Sequence, residues 1–292
     1  MGTTAEVRAR GLPDPGGLDA AFAALDRVDA LMSLWKESEL AALNARGVRS
    51  VSGETYAVLR HALEVAEASG GAFDPTVEPL VRAAGGFDAE PIPGDGRRLL
   101  DRVGYRHVHL DPKTRTVRLD AGTRLVLDGI AKGFAADLAL AALAGAGATS
   151  GLVDLGGSSL AVFGEALHVD VRDPTREGPP WASFRLGEGA IGTSGDSERG
   201  GHIVDPRTGG PARGVLQATV VAASAMEADA LSTAVFVLGA EEGLALLARR
   251  QAMGLVLRWE DGRRVIRTTP GFAADLALVA APGVEVKEQG AR

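Results

Sequence analysis

The chain has no cysteine. That excludes disulfides, thiolate metal sites, cysteine nucleophiles and cysteine lipidation together. It also lacks an excess of basic charge: 31 Lys and Arg stand against 38 Asp and Glu, for a net charge of −7. Such a balance argues against generic binding to phosphate backbones, so no nucleic-acid partner is expected. Long hydrophobic runs are missing too. The most apolar internal stretch, residues 138–148, is short and interrupted by glycine, so no membrane span is expected. The opening MGTTAEVRARG has no basic segment followed by an apolar run. The expectation is a soluble, cytoplasmic protein, unless an export segment has been trimmed away. Neither an internal repeat nor a low-complexity linker divides the 292 residues, which suffice for one sizeable core.

What is present is an unusual loop. Residues 192–212, GTSGDSERGGHIVDPRTGGPA, hold glycines, two prolines, Ser194, Asp196, His202, Asp205 and Arg207, with almost nothing a core can use. Long structureless stretches in compact domains are usually binding loops or lids. The glycines let backbone approach a ligand closely, while the Asp-Pro and Thr-Gly pairs fix turns.

Elsewhere the apolar spacing predicts helices over 18–35, 38–44, 54–69, 131–143, 225–238 and 241–250. Strands are expected at 107–110, 116–119, 125–127, 151–155 and 218–222, with hairpins pairing 160–163 with 167–172 and 255–259 with 265–268. Hairpins alongside strand–helix alternation point to a single α/β (α+β) domain with a mixed sheet over 1–282. Residues 283–292 read as a polar, frayed tail.

Several residues carry possible chemistry. Asp229 and Thr233 lie four apart in MEADALSTAVFVLG, so a helix turns both oxygens to one side. A carboxylate and a hydroxyl are hard donors suited to magnesium, although the pair alone is more often a solvated face. Lys132, in VLDGIAKGFAAD, stands where a helix start with nearby glycines can receive phosphate; a surface lysine beside Asp128 is the plainer alternative. His202 is the one histidine set among turn residues, a candidate general base that Asp205 or Asp196 could orient. Ser194, His202 and Asp205 also permit a hydrolase triad, but the G-x-S-x-G elbow is absent.

Taken together, MGT, SLWKESELAALN, GAFDPTVEPLV, DGIAKGFAAD, GLVDLGG, GTSGD, HIVDPRTGGPA and DALSTAVFVLG occur in the order and approximate spacing of the ApbE family, the FAD:protein FMN transferases. The chain resembles that family to about residue 258. The resemblance implies a T-fold-like α/β architecture, FAD as substrate with its diphosphate against Mg2+, and transfer of FMN to a Ser or Thr hydroxyl of an acceptor protein with release of AMP. It assigns Asp229, Thr233 and the Gly129 carbonyl to the metal. It places Met1, Trp35, Ala72, Phe73, Asp74, Lys132 and Ile203 against FAD, and gives His202, with Asp229 behind it, the proton from the acceptor hydroxyl. One departure stands out. Val126 occupies the place of a family carboxylate, so either Asp128 makes that nucleotide contact from a neighbouring position or the contact is lost. An FAD diphosphatase and a non-catalytic flavin-binding protein remain the alternatives.

Overall fold

The computed structural model describes residues 2–86, 96–175, 177–195 and 203–290. The chain opens with β1 (Ala5–Arg10), followed by α1 (Gly16–Met32), α2 (Glu39–Arg46), β2 (Val48–Ser50), α3 (Gly53–Ala68) and α4 (Glu78–Ala83). Two 3-10 turns, Gly96–Arg102 and Tyr105–His107, lead into β3 (Val108–Asp111) and β4 (Thr116–Leu119). Next come α5 (Ala131–Gly145), β5 (Ser150–Leu155), β6 (Ser159–Phe163), β7 (Leu167–Val171), β8 (Ala182–Leu186) and β9 (Gly189–Gly195). The last part runs β10 (Gln217–Ala222), α6 (Ala225–Leu238), α7 (Ala240–Arg249), β11 (Met253–Glu260), β12 (Arg263–Thr268), α8 (Phe272–Asp275), β13 (Val279–Ala280) and β14 (Val284–Glu288).

An eight-stranded sheet in the order β1-β5-β6-β9-β10-β11-β12-β14 forms the centre. It is antiparallel except where β12 pairs parallel with β14, so the sheet is mixed as expected. Period-two alternation gives it two apolar faces. Ala161, Ala190, Val220 and Val256 look toward the helices, whereas Val162, Ile191, Val221, Leu255 and Leu257 look toward a small sheet, β13-β8-β7. That second core closes around Trp181, Phe184 and Phe272, with Phe184 edge-on to Phe272 at 5.3 Å. A third sheet, β2-β4-β3, packs beside α2. Among the described residues no helix is long and apolar enough to cross a membrane.

The helices begin where serine can cap them. Ser38, Ser52 and Ser224 accept from Ala41, Thr55 and Glu227 N–H groups and start α2, α3 and α6. In α1, Ala21, Leu25, Val28 and Met32 form the buried stripe. The helix stops at Met32, short of the expected Trp35, because Ser33 is extended and the loop beyond it is tied by a Ser38 hydroxyl bond to the Ser33 carbonyl, 2.6 Å.

Four expectations are corrected. Residues 125–127 form no strand; Leu125 is instead held by Asn44, whose side chain brackets its N–H and carbonyl at 2.7 and 2.8 Å. β6 and β7 are not a hairpin, since β6 joins the central sheet between β5 and β9 while β7 pairs with β8. The glycine-rich loop is a strand through Gly195, because its first residues complete β9 against β10. Finally, residues 284–288 are not frayed but form β14. Lys287 donates to Glu260 at 2.9 Å, and Arg267 donates to the same carboxylate at 2.8 and 3.1 Å, so charge fixes a strand that its polarity disguised.

Candidate active site

A cavity of about 710 Å3 opens where α5, α6, β9 and the turn after α3 meet. Its wall includes Ala72, Phe73, Asp74, Asp128, Gly129, Lys132, Ile203, Asp229 and Thr233. Met1 and His202, and with them Asp196, lie outside the described residues. Trp35 is not part of the cavity wall; it is 59% exposed beyond the end of α1.

Asp229 is seated by close backbone approach on two sides. A Cβ on Gly133, in the first turn of α5, would fall inside contact distance of the Ala225 carbonyl, and one on Gly192 in β9 inside that of Ala228. Glycine at both places lets α6 press against helix and sheet. The Gly133 N–H then donates to Asp229 Oδ2 at 3.0 Å. Burial pushes the Asp229 carboxyl above the usual carboxylate range, against the Lys132 ammonium and the Gly133 N–H, which pull it down.

One helical turn on, the Thr233 hydroxyl shares a hydrogen bond with Ser194 Oγ at 3.2 Å, and Ser194 is itself 2.8 Å from Ser232 Oγ. A Cβ on Gly129 would stand 3.2 Å from Thr233 Oγ1 and 3.3 Å from Phe73, so glycine leaves a small cradle between backbone and hydroxyl. Carboxylate, hydroxyl and carbonyl are the oxygen donors a hard divalent cation takes. Among the described residues no three His, Cys, Asp or Glu side chains group into a metal site. Three such oxygens leave part of a hard ion's shell open, which magnesium usually fills with water and substrate phosphates.

Other residues settle more narrowly. Asp74 accepts from Thr76 N, Thr76 Oγ1 and Tyr105 N at 2.8, 2.6 and 2.7 Å, and burial raises its carboxyl despite them. Its side chain thus holds the turn that presents Ala72 and Phe73 to the cavity. Val126 lines the cavity as an apolar wall with Asp128 two residues away on the same wall. Asp205 accepts from Arg207 through both carboxylate oxygens, each at 2.9 Å, which fixes its own turn. Ser194 is bonded to hydroxyls, so the triad reading has no support in the described residues. Sequence reasoning passed over Ser194 as a partner of Thr233, because contacts 39 residues apart leave no local pattern.

The chain is similar in sequence and fold to known proteins. The ApbE family matches residues 1–257. An FAD:protein FMN transferase of Treponema pallidum (strain Nichols) is 35% identical over 290 residues, covering 87% of this chain and 80% of its own. The flavin transferase ApbE from Vibrio cholerae superposes with a TM-score of 0.82 at 28% identity, over 93% of this chain and 95% of that one. The ApbE protein of Thermotoga maritima gives 0.80 at 31% identity, over 88% and 91%.

Proposed function

Because this chain belongs to the ApbE family, we propose that it is an FAD:protein FMN transferase, moving FMN from FAD to a Ser or Thr hydroxyl of an acceptor protein with release of AMP. The observation that carries this reading is the meeting of Gly129, Asp229 and Thr233 in one cavity wall beside Lys132. Hard oxygens from two separate elements converge there, and the three of them leave most of an ion's shell open to phosphates and water.

Asp229, Thr233 and the Gly129 carbonyl would hold Mg2+, and when bound the ion neutralises diphosphate charge. Lys132 adds a fixed positive charge on the same side. Phe73 and Ile203 supply apolar surface, and the Ala72–Phe73 turn shapes the wall for the nucleotide. The acceptor hydroxyl oxygen attacks the FMN phosphorus in line. The bond from that phosphorus to the bridging oxygen breaks, and AMP leaves with the oxygen. The hydroxyl proton passes to a base, for which His202 ranks first and Asp229 second.

Incubation with FAD, Mg2+ and an acceptor bearing a flavinylation motif tests the proposal. Acceptor mass rising by one FMN is the expected result. Free FMN and AMP with unmodified acceptor would make the protein a diphosphatase, and unchanged FAD a binding protein without turnover.

A further inference from the structure

The donors assigned to the ion belong to two helices and the turn that leads into one of them. The Gly129 carbonyl lies two residues before α5, and Asp229 and Thr233 stand on α6. Their separation is therefore set by how α5 and α6 are fastened. One fastening is the Gly133 N–H to Asp229 bond, which uses the same carboxylate that would serve the metal. The other lies outside the cavity. Asp137, one turn along α5, accepts from the Ala225 N–H at 2.7 Å and the Met226 N–H at 2.9 Å, the first two of α6.

The two contacts are reciprocal: each helix lends a carboxylate to the other's first turn. Four unpaired N–H groups and the positive end of the dipole make a helix start a favourable place for a carboxylate. Ser224 caps the following N–H, of Glu227, so between them Asp137 and Ser224 satisfy the opening of α6. Nor can the helices slide to compensate, because the Gly133 backbone already touches Ala225.

We propose that Asp137 is a positioning residue, fastening the start of α6 to α5 so that Asp229 and Thr233 keep their station opposite Gly129 when an ion draws on the Asp229 carboxylate. The inference rests on the metal reading above. It adds a residue that lines no part of the cavity. Asp137 is itself partly buried, and burial raises its carboxyl with a further push from the Asp229 charge.

The test is Mg2+ binding by calorimetry in the presence of FAD, alongside a Mg2+ saturation curve for FMN transfer and a metal-free melt. In Asp137→Asn one amide oxygen remains as an acceptor, but the amide NH2 opposes the second N–H. Weakening of Mg2+ by about tenfold or more is expected, the usual scale for losing a partner one step removed from a metal. At saturating Mg2+ kcat should return to within about twofold of wild type, the signature of displaced rather than missing ligands. A lowered melt with unchanged Mg2+ affinity overturns the inference, leaving Asp137 a helix cap alone. If the Asn variant does not fold, Asp137→Glu, which keeps the charge on a longer arm, is read identically: weakened Mg2+ supports the proposal and unchanged Mg2+ overturns it. Failure of the wild type to bind Mg2+ with FAD overturns the metal reading, and the role of Asp137 with it; the wild-type titration alone reports that case.

Discussion

Ser194 and Thr233 stand 39 residues apart in the chain and share a hydrogen bond of 3.2 Å between hydroxyls. Strand β9 thereby orients the helix residue assigned to the metal, and the Ser232 hydroxyl at 2.8 Å fixes Ser194 in turn. In Ser194→Ala the Thr233 hydroxyl loses its orienting partner. A several-fold higher Mg2+ requirement for FMN transfer is expected, with a stability change of about 1 kcal/mol, the net worth of one such bond. A Mg2+ titration of activity and a denaturant melt check both parts.

Asp229 is costly where it stands. Burial raises its carboxyl, so the folded protein bears a desolvation cost that a bound cation would relieve. Asp229→Ala should abolish metal-dependent turnover. Asp229→Asn, nearly the same shape, should lose turnover while its metal-free melting temperature stays level or rises. Wild-type activity in either variant would remove the metal assignment.

Gly192 sits where strand and helix backbones touch, and an added Cβ meets the Ala228 carbonyl. Backbone cannot swing aside as a flexible side chain can. Gly192→Ala should therefore cost about 1–3 kcal/mol, the range for overpacking a filled interior. It should also weaken Mg2+ binding, since Ala228 adjoins Asp229. Paired denaturation and calorimetry measure the two effects on the same sample.

Glu260 joins three strands: it lies at the end of β11 and accepts from Arg267 on β12 and Lys287 on β14. Those partners hold its carboxyl down at about 2, from an ordinary 4.5. A depressed folded value means that its contribution is complete above about 4.5 and disappears as pH falls toward 2. Glu260→Gln should speed amide exchange across residues 284–288 at neutral pH and flatten the acid limb of the stability curve. Unchanged exchange there would show β14 to be held by its backbone ladder alone.

The limits of sequence reading are visible in these same residues. The last segment seemed frayed because Glu285, Lys287 and Glu288 are polar; nothing local reveals that Glu260 and Arg267 wait beside them. The apolar spacing runs a helix on through Trp35, but α1 ends before it and the loop carries the ring to the surface. Asp137 closes the run DGIAKGFAAD, and nothing in that run reveals the Ala225 and Met226 N–H groups it meets.

What the sequence determined by itself is the kind of chemistry and most of the elements. Helix periodicity, strand alternation and hard donors four apart on one helix are local patterns, written in consecutive residues. The tertiary structure alone decided which strands are neighbours, that β7 leaves the central sheet, and that Gly129, Ser194 and Thr233 meet. Those relations depend on backbones brought together across long stretches of chain, where glycine permits contact and a distant partner satisfies a hydroxyl or carboxylate, and no short window of sequence contains them.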